Sequence, residues 1–205
     1  MGEIVGIVLA GGLGTRFEDG NKLLATVDGE PVVRHAARTL AVPAVEYTIA
    51  VLGHDARTVG QAVSADVEET VSNPDFAEGQ SASVRAGTRA ARERDADAAI
   101  FLPGDMPRVD PETVTRVVET YRSDGGEVVV PSFDGKRGNP VLFDGTCFAE
   151  LLELSGDTGG RALFDAADVR RVAVDDPGIH RDVDTVADRA RLDRLESDGT
   201  DPDPR

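Results

Sequence analysis

The feature that most constrains this chain is an alternation, repeated from residue 4 onward, of short β-branched apolar runs with segments of helical spacing. Residues 4–9, 47–52, 98–102 and 128–130 are brief, almost wholly apolar and bounded by Gly, Pro or Asp. Runs of that kind read as strands buried on both faces. Residues 32–40, 57–63, 81–94 and 111–121 carry the helical spacing, and Asp110 before Pro111 gives an N-cap followed by a proline in the first helical position. Such a chain is expected to pack helices on both faces of one mostly parallel sheet, a three-layer α/β architecture. One domain over residues 1–195 suits the length of 205 residues, with an acidic, disordered tail at 196–205.

Beyond Pro131 the pattern changes. Residues 133–136 read as a turn, 140–143 as a strand, 147–154 and 160–165 as short helices, 169–174 as another strand and 184–195 as a last helix. These are additions to the same sheet, since no linker or repeat separates them.

Charge narrows the function. The chain has 24 Asp and 14 Glu against 20 Arg and two Lys, a formal net charge of -16. A field of that sign repels nucleic acid and anionic membranes, so neither is an expected partner. Acidity with so little lysine is the pattern of a halophile's cytoplasmic protein. At molar salt the Debye length falls to about 3 Å and the self-repulsion is screened, so salt should favour the fold. Cys147 is the only cysteine, which excludes an intramolecular disulfide and a cysteine zinc cluster, and it reads as a small buried hydrophobe beside Phe148. The opening MGEIVGIVLAGG has no basic region before its short apolar run, and no stretch approaches a membrane span, so a cytoplasmic location is expected.

Two segments carry chemistry. The first predicted strand runs into LAGGLGTRFEDGNKLL, with Gly11, Gly12, Gly14 and Gly20 and the cations Arg16 and Lys22. Glycines let backbone N–H groups approach a phosphate, and loops at the carboxyl ends of parallel strands are where α/β sheets bind ligands. The loop fits neither common template, because Phe17 stands where a dinucleotide fingerprint has its third Gly, and Lys22 follows Asn21 rather than Gly. A phosphate cradle and an ordinary strand-to-helix loop with surface cations both remain open. The second segment, LPGDMP, puts Asp105 just past the tip of the third strand. There it either helps hold Mg²⁺, which takes one or two carboxylates plus substrate phosphates, or caps the next turn. His35 and His180 read as structural, and His54 as a loop histidine.

The later segments extend the pattern. NPDFAEGQSASVRAG contains Asn73, Gly79, Ser81 and Ser83, and it is followed in order by GKRGNPVLF, GDTGGRALF and RDVDTVAD. With the two earlier motifs, this series resembles the molybdenum cofactor nucleotidyltransferase family, the MobA-like NTP transferases, over about residues 4 to 190, and is most similar to the cytidylyltransferases within it. The resemblance implies a Rossmann-like nucleotidyltransferase fold of the nucleotide-diphospho-sugar transferase type. It also implies Mg²⁺ dependence and transfer of CMP or GMP from the NTP to the terminal phosphate of molybdopterin.

Carried over residue by residue, it implies catalytic roles for Arg16, Lys22 and Asp105, and nucleotide contacts from Leu9, Ala10, Gly11, Gly12, Gly14, Asn73, Ser81 and Ser83. Asn139 and Arg161 fall on the acceptor side. Asp184 joins Asp105 as the second metal ligand, with Asp182 the weaker alternative. Ser81 and Ser83 read equally well as N-cap hydroxyls, and Arg161 as a surface cation. The implied partners are CTP or GTP, a molybdopterin-type phosphorylated acceptor, and a molybdoenzyme or its chaperone.

The base is divided within the chain. Leu9-Ala10-Gly11-Gly12 resembles the guanylyl members, whereas the segments from Asn73 onward resemble the cytidylyl ones. A missing Cβ at Gly11 is expected to leave room at the base edge. A different phosphorylated acceptor, such as phospholactate, a sugar phosphate or an isoprenoid precursor, and a nucleotide-binding module without turnover are the competing expectations.

Overall fold

The computed structural model describes residues 2–12, 20–185 and 188. In chain order the elements are β1 (Ile4–Ala10), β2 (Thr26–Val27), β3 (Glu30–Pro31), α1 (Val32–Leu40), β4 (Tyr47–Leu52), α2 (Ala56–Val63), β5 (Glu69–Ser72), α3 (Gln80–Glu93) and β6 (Ala98–Pro103). They continue with α4 (Pro111–Asp124), β7 (Val128–Phe133), β8 (Lys136–Arg137), β9 (Val141–Asp144), α5 (Phe148–Leu152) and β10 (Val169–Ala173). Single turns of 3-10 helix connect several of these, among them Lys22–Leu24 and Pro177–His180.

The main sheet has the order β10-β7-β9-β6-β1-β4-β5, with β8 paired to β7. β1 lies in its interior, parallel to β4 on one side and to β6 on the other. The chain therefore winds away from β1 in both directions, and the crevice at the carboxyl ends of β1 and β6 is where such sheets bind ligands. β9 alone in the main order runs antiparallel to its neighbours β6 and β7.

Both faces of the sheet are covered, which is why its strands are apolar in consecutive positions. Val8, Ile100 and Leu102 pack with Ala37 and Leu40 of α1 and Val114 and Val118 of α4. Val5, Ile7, Ile49 and Phe101 face the other way, onto Val84 and Ala91 of α3 and Leu151 of α5. Helix α3 sits so close that a Cβ on Gly87 would come within 2.6 Å of Ile7 Cγ2. The three-layer, mostly parallel α/β fold expected from the sequence is the fold of the protein.

Three differences have physical causes. β5 escapes the sequence pattern because it is an edge strand whose exposed residues, Glu69, Thr70 and Ser72, leave Val71 as its one apolar position. The 133–136 turn belongs to a β7–β8 hairpin whose tip, Asp134 and Gly135, takes φ of 49° and 73°. That is the left-handed geometry such tight hairpins need. The helix expected over 147–154 is shorter, since a 3-10 turn at Gly145–Cys147 precedes α5. Of the last helix expected over 184–195, residues 186, 187 and 189–195 lie outside the described residues, as does the tail. Asp110 caps α4 as expected, its carboxylate accepting from Glu112 N at 2.8 Å, and Cys147 is buried.

Candidate active site

The parallel register aligns Leu9 with Pro103, so Gly11 and Gly12 after β1 and Asp105 after β6 emerge at one edge of the sheet. The amide of Gly104 donates to Leu9 O at 2.9 Å, tying the two loops together. Lys22 enters from the 3-10 turn that Asn21 caps, Oδ1 accepting from Leu23 N at 3.0 Å. Its Nζ donates to Asp105 Oδ2 at 2.5 Å and to Asp184 Oδ1 at 2.7 Å.

Asp182 completes a carboxylate group in which Asp105, Asp182 and Asp184 each offer an oxygen within 4.8 Å of the others. Between the two later aspartates, Val183 is buried against Val27 and Val32. Its amide donates to Asp105 O at 2.9 Å. The segment is held from behind by buried Asp176, which accepts from Asp110 N at 2.9 Å, Thr113 Oγ1 at 2.8 Å and Gly178 N at 2.7 Å. Gly178 is required there, because a Cβ would fall 1.8 Å from Arg108 O.

The electrostatics follow from this grouping. Partial burial acts to lower the Lys22 pKa, but Asp105 and Asp184 outweigh it and hold the ammonium above the ordinary lysine value. Partial desolvation, together with the charges of Asp105 and Asp184, pushes the Asp182 carboxyl up. Oxygen ligands at this spacing suit a hard divalent ion.

Two clefts meet at Asp105. The first, of about 570 Å³, is lined by Gly11, Gly12, Lys22, Phe76, Ser83 and Asp184 among others. The second, of about 470 Å³, is lined by Met106, Arg137, Asn139, Arg161 and Asp182 among others. Leu9, Gln80, Pro103 and Asp105 belong to both. A donor and an acceptor could therefore occupy adjoining spaces with the carboxylates and Lys22 between them.

The residues singled out from the sequence fall into distinct places. Leu9, Gly11, Gly12, Lys22, Ser83, Asp105 and Asp184 line the first cleft, and Asn139 and Arg161 the second. Ala10 has its side chain in the core. Ser81 is fully buried, and its Oγ accepts from Arg85 Nη1 at 3.1 Å. Asn73 is buried too, donating from Nδ2 to Ser83 Oγ at 3.1 Å and accepting from Asp75 N at 3.2 Å. Ser81 and Asn73 thus shape the wall from behind it.

Two expectations require correction. Neither serine caps α3, whose N-cap is Gly79 without a side-chain bond. The amides of Gln80 and Ser81 are not free for a ligand either, because they donate to Asp157 Oδ1 and Gly156 O, each at 3.3 Å. Gly11 also does something other than make room for a base. A Cβ there would lie 2.6 Å from Ser83 Oγ. Gly14 and Arg16 lie outside the described residues. Sequence reasoning did not identify Gly53, whose Cβ would fall 2.4 Å from Gly11 O, or Phe76 and Arg137 on the cleft walls. Only the Gly53-His54 pair at the end of β4 hinted at a close approach. His54 sits beside the cleft with its ring 6.1 Å from that of Phe76. His35 bonds Val27 O at 2.8 Å.

A carboxylate group and a lysine at the carboxyl edge of a doubly wound sheet, with two adjoining clefts, suit transfer of a charged group between two bound substrates. Residues 6–172 match the model of the MobA-like NTP transferase domain, and the chain belongs to that family. It is 29% identical to nicotine blue oxidoreductase of Paenarthrobacter nicotinovorans, over 92% of this chain and 96% of that protein. The bifunctional protein GlmU of Mycobacterium sp. (strain KMS) is 27% identical over 94% of this chain, which spans only 38% of GlmU's length. Among solved structures, the manganese complex of Rv0371c from Mycobacterium tuberculosis superposes with a TM-score of 0.75 at 30% identity, covering 94% of this chain and 98% of that one. Among the described residues, no helix is long and apolar enough to cross a membrane.

Proposed function

We propose that the protein is a cytoplasmic, Mg²⁺-dependent enzyme that transfers CMP from CTP to the terminal phosphate of molybdopterin, releasing pyrophosphate. The observation that carries this reading is Lys22 bridging Asp105 and Asp184 where the two clefts meet. An oxygen of the acceptor phosphate attacks the α-phosphorus of the nucleotide. The bond from that phosphorus to the bridging oxygen breaks, and pyrophosphate leaves with the electron pair. Such reactions ask the protein mainly for positioning and charge neutralisation.

Asp105, Asp182 and Asp184 would hold the divalent ion, a reading supported by their spacing and by the manganese in the Rv0371c complex. When bound, that ion supplies positive charge to the triphosphate. Lys22 adds a second, fixed cation beside it, and Arg16 is proposed to act from the glycine loop. Leu9, Gly11, Gly12 and Ser83 form the nucleotide wall, and Asn139 and Arg161 the acceptor wall. CTP is favoured over GTP because the segments from Asn73 onward resemble the cytidylyl members over more residues than the first loop contradicts. A molybdoenzyme or its chaperone would receive the product.

The likeness to nicotine blue oxidoreductase favours a second reading, a redox reaction in the same clefts. One experiment separates the two. Pyrophosphate release is followed in molar salt with Mg²⁺ and molybdopterin for CTP, GTP, ATP and UTP, while NADH and NADPH oxidation with a quinonoid dye is followed in parallel. Release with CTP, and no dye reduction above the blank, supports the transfer. Dye reduction without pyrophosphate overturns it.

A further inference from the structure

The second cleft has a charge pattern that a phosphate acceptor alone does not use. Its floor is apolar and buried, formed by Met106, Val141, Phe143 and Ile179. Asp105 and Asp182, two of the grouped carboxylates, line one part of it. Arg137 and Arg161, both exposed, line another. Neither guanidinium lies within ion-pair distance of any carboxylate among the described residues, including those of its own cleft. Opposite charges therefore share one cavity without neutralising each other.

In a chain of net charge -16, two unpaired guanidiniums on a cavity wall run against the surrounding field. Arg137 is also held in place. It projects from the β7–β8 hairpin with its guanidinium 4.9 Å from the centre of the Phe164 ring, and Phe164 in turn stands 6.4 Å from Phe143 on the floor. An arginine restrained on an aromatic face loses less freedom when it binds an anion.

We infer that this cleft recognises a phosphomonoester carrying a second anionic group on a flat apolar body, with the second anion read by Arg137 and Arg161. Calling this ligand the acceptor rests on the transfer reaction proposed above. The phosphate would lie toward the carboxylates that would hold a divalent ion, the body over Phe143 and Met106, and the second anion against the guanidiniums. Arg137 is thereby a specificity-determining residue.

The test is calorimetric binding to the full chain with Mg²⁺ in molar potassium chloride, using two probes that differ in one group, phenyl phosphate and 4-carboxyphenyl phosphate. The carboxylated probe should bind about tenfold more tightly, the size of one charge-assisted contact. The Arg137→Gln/Arg161→Gln double variant should bind both probes alike with an unchanged melting temperature, and Arg137→Lys should restore part of the preference. Equal affinity of the two probes for the native protein, absence of binding by either, or a preference that survives in the double variant overturns the inference. Binding is read without turnover. A protein that prefers the carboxylated probe and releases no pyrophosphate would therefore contradict the transfer reading and leave this site assignment standing.

Discussion

Lys22 Nζ lies 2.5 Å from Asp105 Oδ2, a bond between residues 83 positions apart in the chain. It joins the glycine loop after β1 to the loop after β6 and puts the one lysine of the site at the junction of two clefts. The other lysine, Lys136, is exposed on β8 and lines neither cleft. Lys22→Ala should lower turnover by about 10²- to 10³-fold, the cost of losing one preorganised charge-stabilising group. Lys136→Ala should stay near the native rate. Steady-state rates of the two variants, measured side by side, check the contrast; near-native rates for both would return Lys22 to the surface-cation reading.

The carboxylate group predicts a shared metal site rather than a choice between Asp182 and Asp184. Asp105→Asn, Asp182→Asn and Asp184→Asn should each weaken Mn²⁺ binding by about tenfold or more, because ligand charge sets affinity for such ions. Lys22→Met removes an ammonium that holds two of the same carboxylates. It should bind Mn²⁺ at least as tightly as the native protein while losing turnover. Calorimetric titration gives these affinities, and an unaffected Asp182→Asn would reduce the ligand set to two.

Gly11 faces Ser83 Oγ, not open space. An added methyl presses on the hydroxyl that accepts from Asn73, at a cost of about 1–3 kcal/mol for overpacking. Gly11→Ala should therefore lower kcat/KM for CTP and GTP by similar factors, and Ser83→Ala in the same chain should recover part of the loss. A selective loss with GTP would instead place the base edge against position 11.

Asp66 offers a test by pH. Burial acts to raise its pKa, but hydrogen bonds from Arg34 and Arg38 outweigh it and hold the carboxyl below the usual range. A carboxylate depressed in the folded state contributes stability that is complete above its unfolded pKa of about 3.9 and is lost as pH falls through the lower folded value. Asp66→Asn should be less stable than the native protein at pH 6, and the difference should shrink below pH 4. Urea midpoints at the two pH values, at one salt concentration, measure it; a difference that does not shrink contradicts the linkage.

Much of the frame was legible because burial on both faces writes strands such as β1, β4 and β6 as continuous apolar runs. Lys22 and Asp105 stood out for a related reason, each lying in a glycine- or proline-bounded loop just past such a run. What stayed hidden depends on distant packing. Asp182, read from the sequence only as the alternative to Asp184, joins the same group because Val183 is buried against Val27 and Val32. The burial of Asn73 and Ser81, with side-chain bonds to Ser83 and Arg85, is likewise set by distant packing. The first amides of α3 are occupied for the same reason, since the loop at Gly156 and Asp157 returns from far along the chain to meet the helix.

Asp105, with Lys22, is proposed to serve transfer of a nucleotidyl group from CTP. The most direct test of that role follows the α-phosphate label of CTP in molar salt with Mg²⁺ and molybdopterin, for the native protein and for Asp105→Asn. The label should appear in a cytidylylated pterin with the native protein and be absent with the variant, which keeps the native melting temperature. Label that remains in CTP or CMP with the native protein, or label transferred equally by the variant, would contradict the account.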